Sequence, residues 1–195
     1  MDLDARLVVY NIQKKNNVRT LFTTAYCYDL SVCLVRQPTF SEDTHVHDSL
    51  RGRQPYERFA SLDDCVASLK ENGYEIWGIE ISQNAIDLES AAFPAKVAFM
   101  PGNEGQGLTD KQKEMCDQFL LIKQFGNGTA SLNVAVATHI VCQRYASWRE
   151  AQEVEEEADA RADGLAGDTD ASDRRKAPGK EALDGDSGSA KAVDS

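Results

Sequence analysis

The sequence lacks a long apolar run, an N-terminal targeting signal and any cluster of positive charge large enough to dominate the chain. No stretch of its 195 residues approaches the roughly 20 apolar residues that a membrane-spanning helix needs. Met1 to Arg6 show neither an apolar signal core nor an Arg-rich amphipathic pattern. We therefore expect a soluble intracellular protein without a membrane partner. The cytoplasm is the simplest location, and the nucleus or an organelle stays open.

Motifs for metal or redox chemistry are also missing. The five cysteines are odd in number and widely spaced, and none forms a C-x-x-C pair, so we expect free thiols. His45 and His47 are possible metal ligands, but they lie in a polar stretch without cysteine partners. We interpret both as solvated loop residues and predict no metal site.

The negative charge is concentrated at one end. Of a net charge of −11, residues 151–195 carry −7, from thirteen acidic and six basic residues, which leaves −4 for residues 1–150. Because the end segment has almost no large apolar residues, it cannot offset the entropy of ordering. We predict a domain over residues 1–150 and a disordered acidic tail over 151–195, after a helical extension over Glu153 to Ala162. The tail either solubilises the protein or binds a partner.

Within the domain, nucleic-acid binding would need a local basic patch or a partner protein, because the overall field is mildly acidic. Six residues could supply such a patch: Lys14, Lys15, Arg19, Arg36, Arg51 and Arg53.

Strand and helix patterns alternate along residues 1–150. Short apolar runs predict strands at 6–11, 31–36, 75–81, 96–100 and 119–122, and helical spacing predicts helices at 17–28, 62–71, 109–116 and 131–149. Residues 37–60 show no periodicity and resemble a long surface loop. The alternation indicates an α/β domain with a mainly parallel sheet flanked by helices.

Two loops follow predicted strands, where open parallel sheets bind ligands. Residues 101–108 contain three glycines, and residues 125–133 lead into the last predicted helix. They form either an adenosine-binding crevice or two tight turns. Glu104 favours binding, because an acid inside a glycine loop is unusual unless it caps a helix. Asn133 does so too, since a buried amide in an apolar helix must find partners.

The same loops resemble the SpoU family of RNA 2′-O-ribose methyltransferases, part of the trefoil-knotted SPOUT group. Residues 101–108, P-G-N-E-G-Q-G-L, resemble the family's second motif, a strand followed by G-x-E-x-x-G-L. Residues 122–126, I-K-Q-F-G, and 128–137, G-T-A-S-L-N-V-A-V-A, resemble the third, I-P-x-x-G followed by S-L-N-V-S-V-A. The resemblance covers about residues 6–148.

The resemblance implies a C-terminal deep trefoil knot, bound S-adenosylmethionine, an RNA substrate (tRNA or rRNA) and a homodimer. The dimer would use the last helix, where Ala135, Ala137 and Ala146 permit close packing. The predicted catalytic residues are Asn17, Glu104, Ser131 and Asn133, together with Arg19 as a substitute for an arginine that the family has in its first motif. The implied cofactor-binding residues are Ile79, Gly102, Asn103, Gly105, Ile122, Ser131 and Leu132.

The first motif departs from the family pattern N-x-G-x-x-x-R-x-A. Asn17 and Ala25 match it, but Arg19 replaces the glycine and Thr23 replaces the arginine that the family uses in catalysis. Lys123 replaces the proline of the third motif. Arg19 precedes Thr23 by one helical turn and could do the missing work, or it could be a solvated or phosphate-binding residue. Two functions therefore stay open: an active methyltransferase, and a catalytically impaired relative that serves as an RNA-binding or ribosome-assembly scaffold.

Overall fold

The computed structural model describes residues 3–36, 40–53, 55–82, 84–126 and 131–169, with side chains described up to residue 161 except at residue 44. The chain divides into two units, residues 1–156 and 157–195. The first unit holds the sheet, and the described part of the second is helical.

Seven strands and five helices make up the described chain. The strands are β1 Asp4–Tyr10, β2 Ser31–Val35, β3 Tyr56–Phe59, β4 Glu75–Ile79, β5 Ile86–Asp87, β6 Lys96–Pro101 and β7 Gln118–Leu121. The helices are α1 Lys15–Cys27, α2 Glu42–His45, α3 Leu62–Glu71, α4 Asp110–Met115 and α5 Val134–Thr169.

All seven strands are parallel, in the order β3-β2-β1-β6-β4-β7-β5. The predicted α/β class with a parallel sheet is confirmed. In the centre, Leu7 on β1 pairs with Val32 on β2 and with Phe99 on β6. β1 therefore pairs on one side with a strand about ninety residues further along the chain. Parallel neighbours need such crossover connections.

Alternation along the strands sends side chains into two separate cores. Leu7 and Val9 are buried on one face with residues of α1 and α5, whereas Val8 is buried on the other face with residues of α3. Because strand side chains alternate with a period of two, a continuous apolar run serves both faces. Helices therefore cover both sides of the sheet.

The segment between β2 and α3 is not the unstructured surface loop that the sequence predicts. It contains α2 and β3, and it buries Phe40, Val46 and Leu50. The Phe40 ring stacks on Phe22 of α1 with 5.3 Å between centroids. These apolar residues are spaced irregularly, so no helix or strand period reveals them, and the prediction is wrong for this reason.

Helix ends differ from the predicted ones by a few residues. The predicted helix start at Asn17 moves to Lys15, and the start near Ser131 moves to Val134. The predicted extension over 153–162 is confirmed, and α5 continues to Thr169. Residues 170–195 of the predicted tail lie outside the described residues. So do residues 127–130 before α5, and the threading of the knot stays a prediction.

Three further observations concern disulfide bonds, membrane-spanning helices and metal sites. The five cysteines are unpaired. Within the described ranges, no helix is long and apolar enough to cross a membrane. In the same part of the chain, no group of three or more His, Cys, Asp or Glu side chains is arranged to hold a metal ion.

Candidate functional site

A cavity of about 310 Å³ lies where the neighbouring strands β6, β4 and β7 end. Its wall is made by the loop after β6, by residues that follow β4 and β7, and by the start of α5. All seven residues predicted to bind the cofactor lie on this wall: Ile79, Gly102, Asn103, Gly105, Ile122, Ser131 and Leu132. The predicted crevice at the carboxyl edge of the sheet is therefore present, formed by both predicted loops.

The loop after β6 closes on itself as a tight hairpin. The Asn103 N–H donates to the Gly107 carbonyl at 2.9 Å, and the Gly107 N–H donates to the Asn103 carbonyl at 3.0 Å. A Cβ at position 102 would lie 2.5 Å from the Gly107 carbonyl carbon and 2.7 Å from the Leu108 nitrogen. Since backbone cannot move aside as a flexible side chain can, only glycine fits at position 102.

The side chain of Asn103 fixes the hairpin to β1. Its Oδ1 accepts the Gly105 N–H at 2.9 Å, and its Nδ2 donates to the Asn11 carbonyl at 2.8 Å. Asn11 has a φ of 57° and turns the chain sharply at the end of β1. The backbone that lines the cavity is therefore held by a nearly buried amide.

Glu104 points out of the hairpin toward the start of α1. One carboxylate oxygen accepts the Gln13 N–H at 3.1 Å, and the other accepts the Lys14 N–H at 2.9 Å and the Asn17 side-chain amide at 2.9 Å. Lys14 occupies the N-cap position of α1 without a capping side-chain hydrogen bond. Glu104 thus satisfies backbone groups at the start of α1, which explains why an acid sits inside a glycine loop.

These hydrogen bonds act on the ionisation of Glu104. Burial alone would raise the pKa of this carboxyl group. The N–H groups of Lys14 and Gln13 and the Asn17 amide outweigh that effect, so the pKa lies below the usual range and the group is a carboxylate at neutral pH.

Asn17 connects Glu104 to the third predicted motif. Its Oδ1 accepts the Asn133 Nδ2–H at 3.2 Å, while the Asn133 Oδ1 accepts the Ala135 N–H at 2.9 Å. Asn133 is therefore the N-cap of α5, not a buried amide inside the helix as the sequence predicts; it is exposed and partnered by its neighbours. Glu104, Asn17 and Asn133 form one hydrogen-bonded chain across three motifs, which we call the motif-linking chain.

Arg19 and Thr23 lie on α1, where the Thr23 hydroxyl donates to the Arg19 carbonyl at 3.0 Å. The helix includes Arg19, so the two side chains share one face, as the sequence predicts. The Arg19 guanidinium has no ion-pair or hydrogen-bond partner among the residues described, and Arg19 does not line the cavity. Of the five predicted catalytic residues, Asn17, Glu104 and Asn133 are brought together, and Ser131 lines the cavity.

Glu80, which is not among the residues predicted from the sequence, lines the cavity directly after β4. Its Oε2 accepts the Leu108 N–H at 3.0 Å, and its Oε1 accepts the Ile81 N–H at 3.0 Å. A Cβ at Gly107 would lie 2.5 Å from Oε2, and Gly107 has a φ of 67°. The available signal was an acid at the carboxyl end of a parallel strand, beside a glycine loop.

The sequence profile of the SpoU rRNA Methylase family matches residues 4–143. A 23S rRNA (guanosine-2′-O-)-methyltransferase of Neisseria meningitidis is 34% identical over 87 residues, which cover 45% of this chain and 34% of the relative. The tRNA (guanosine(18)-2′-O)-methyltransferase of Escherichia coli is 31% identical over 81 residues, which cover 42% of this chain and 35% of the relative. The matches span about a third of each curated relative.

Solved structures share the architecture. An rRNA methyltransferase of Sinorhizobium meliloti, crystallised with bound S-adenosylmethionine, superposes with a TM-score of 0.62 and 19% identity, over 74% of this chain and 56% of that one. At this level of identity, the likeness shows the fold alone.

Proposed function

Because this chain belongs to the SpoU rRNA Methylase family, we propose that it binds S-adenosylmethionine and methylates a ribose 2′-hydroxyl of tRNA or rRNA. The cavity at the ends of β4, β6 and β7 carries this proposal. It combines a hairpin backbone, apolar side chains and carboxylates in one concave site. Relatives that methylate guanosine 2′-oxygens in tRNA and in 23S rRNA support the reaction class.

The residues present fit the cofactor. The cavity volume of about 310 Å³ lies at the lower end of the range for small-molecule sites. Ile79, Ile122 and Leu132 offer apolar walls for an adenine ring, and the backbone of Gly102 to Gly107 is open to close approach. A Cβ at Gly102 would force this backbone apart. When bound, the cofactor supplies a methyl group on a positively charged sulfur.

In the proposed reaction, the side chains of this protein hold the elements of the site together and orient the nucleotide. The motif-linking chain of Glu104, Asn17 and Asn133 fixes α1 against the hairpin and against the start of α5. Ser131 presents a hydroxyl on the cavity wall toward the incoming nucleotide. Arg19 lies outside the cavity wall, and we assign to its long side chain a hydrogen bond that it donates to the ribose 2′-oxygen of bound RNA. The guanidinium would then stabilise the negative charge that develops on this oxygen as the hydroxyl proton passes to water. Positioning of this kind supplies much of the acceleration in transfer reactions.

Calorimetric titration with S-adenosylmethionine tests the proposal without a choice of RNA. We expect one saturable site per chain and weaker binding by the Asn133→Ala variant, because α5 loses its cap and its link to α1. A wild-type protein that binds no S-adenosylmethionine would contradict the methyltransferase function.

A second candidate function is that of an RNA-binding or ribosome-assembly scaffold with impaired catalysis. Thr23 in place of the family arginine favours it, as does the absence of Arg19 from the cavity wall. The Thr23→Arg variant separates the two. A gain of tenfold or more in methyl transfer to bulk tRNA or rRNA would indicate a decayed site. If the wild type already transfers methyl groups, an unchanged or lower rate would indicate that Arg19 has taken over the work of the family arginine. A wild type and a variant that are both inactive would support the scaffold.

We also propose a homodimer that buries the exposed start of α5. Leu132 and Val136 are 38% and 48% exposed there, and Phe125 of the preceding loop is 91% exposed. Large apolar side chains that are exposed to solvent are typical of interfaces. Sedimentation analysis should give twice the chain mass, and the Val136→Glu variant should sediment as a monomer.

A further inference from the structure

Three exposed cations lie along the carboxyl edge of the sheet beside the cavity. Lys14 and Lys15 stand at the start of α1, just after β1, and Arg36 stands directly after β2. We call Lys14, Lys15 and Arg36 the basic strip. In the sheet order, β1 is next to β6 and β2 is next to β1. The strip therefore begins beside the glycine hairpin and extends about 10 Å away from it, two strand spacings.

The positive charges of the basic strip are not neutralised by other described residues of the protein. None of the three cationic groups has a carboxylate or hydrogen-bond partner in the part of the chain that the structure describes. By contrast, seven other basic side chains among the described residues have acidic partners: Arg6, Arg51, Lys70, Lys111, Lys123, Arg149 and Arg161. Glu104, the carboxylate nearest in the hydrogen-bond network, is occupied by N–H groups.

Two features make these positions unfavourable for folding alone. Lys14 and Lys15 lie at the end of α1 where the helix dipole favours anions, and the first turn contains no acidic residue. Arg36 has a φ of 46°, a backbone conformation that non-glycine residues rarely adopt. Glu104 satisfies N–H groups at the start of α1, but neither lysine ammonium forms an ion pair among the described residues. Such departures from local rules are expected at functional sites.

We propose that the basic strip binds the phosphate backbone of the RNA substrate next to the nucleotide in the cavity. A polyanion would neutralise all three cations at once, and a mildly acidic body needs such a local patch to attract one. Arg19 lies one turn beyond Lys15 on α1. The inference rests on the proposed function for the identity of the polyanion.

The test compares two variants with the same change in net charge. Lys15→Gln/Arg36→Gln neutralises the outer part of the strip, and Lys70→Gln/Lys111→Gln neutralises two ion-paired lysines elsewhere. Affinity for fluorescein-labelled bulk tRNA is measured by anisotropy at several salt concentrations, and affinity for S-adenosylmethionine by calorimetry. The strip variant should bind tRNA about tenfold more weakly, with a salt slope smaller by about 1.5. The control should change less than twofold.

Several results would overturn the inference: no tRNA binding by the wild type at low salt, equal losses in both variants, or no loss in the strip variant. The inference would also be overturned if polyglutamate competed with tRNA as strongly as polyuridylate does, because the strip would then bind acidic proteins equally well. Calorimetry separates the two proposals. If the cofactor does not bind but the strip variant alone loses tRNA affinity, the methyltransferase function fails and the strip stands; the reverse pattern removes the strip alone.

Discussion

Replacement of Gly102 by alanine tests the architecture of the cavity. The added Cβ would lie 2.5 Å from the Gly107 carbonyl carbon and 2.7 Å from both the Gly107 Cα and the Leu108 nitrogen. Ordinary contact begins near 3.4 Å, so the opposite strand of the hairpin must move by almost 1 Å. Such a shift strains or breaks the two hydrogen bonds between Asn103 and Gly107.

The cost can be approximated from its parts. Overpacking costs about 1–3 kcal/mol, and each lost backbone hydrogen bond about 1 kcal/mol. We therefore expect Gly102→Ala to lower the free energy of unfolding by about 2–4 kcal/mol. If half of this loss, about 1–2 kcal/mol, falls on the hairpin in the folded protein, affinity for S-adenosylmethionine falls by roughly five- to thirtyfold.

Urea unfolding and calorimetric titration measure the two effects. Gly126→Ala is the matched control, because a Cβ there meets no atom of the described residues within 4 Å. This variant should change either quantity only slightly. A Gly102→Ala protein with wild-type stability and cofactor affinity would contradict this prediction, since the hairpin would then not be held as tightly as its geometry indicates.

Other predictions concern single side chains of the site and core. Since the pKa of Glu104 is lower in the folded than in the unfolded state, its carboxylate stabilises the fold above the usual pKa of 4.5, and that stability is lost as pH falls below it. Urea unfolding of Glu104→Gln across this range should show a weaker pH dependence, and an unchanged dependence would contradict the assignment. The Asn133→Ala variant should lose about 1 kcal/mol of stability in urea. The Asn133→Asp variant keeps the cap of α5 and loses the side-chain N–H that donates to Asn17, so it should lose less. Equal losses in the two variants would mean that the hydrogen bond to Asn17, and not the cap, stabilises the protein. Tyr145→Phe should match or exceed wild-type stability in urea, because the buried hydroxyl has no partner among the described residues; a marked loss would reveal one.

Sequence patterns predicted the features of the fold that depend on local periodicity. Runs such as Leu7 to Val9 are apolar at every position, which correctly indicates a strand buried on both faces. The glycine hairpin was also predictable, because Gly102 and Gly107 are needed by the backbone itself. The parallel sheet and the cavity at its carboxyl edge follow from these two signals.

Features that depend on distant partners were not predictable in the same way. The start of α1 at Lys15 is supported by Glu104, some 90 residues further on, so no local capping residue marks it. β5 is only two residues long and is defined by its pairing with β7. Phe40 is buried because Phe22 and Tyr56 surround it, although its own neighbours in sequence show no pattern.

The motif-linking chain constrains the order in which this protein can fold. Asn17 is separated from Glu104 by 87 residues and from Asn133 by 116. During synthesis the start of α1 must therefore wait, uncapped, until most of the domain has left the ribosome. Topologies with such distant pairings fold slowly, because loop closure must precede the contacts that reward it. We expect hydrogen exchange during refolding to protect α3 before the amides of Gln13 and Lys14, whose protection should appear only with that of the glycine hairpin.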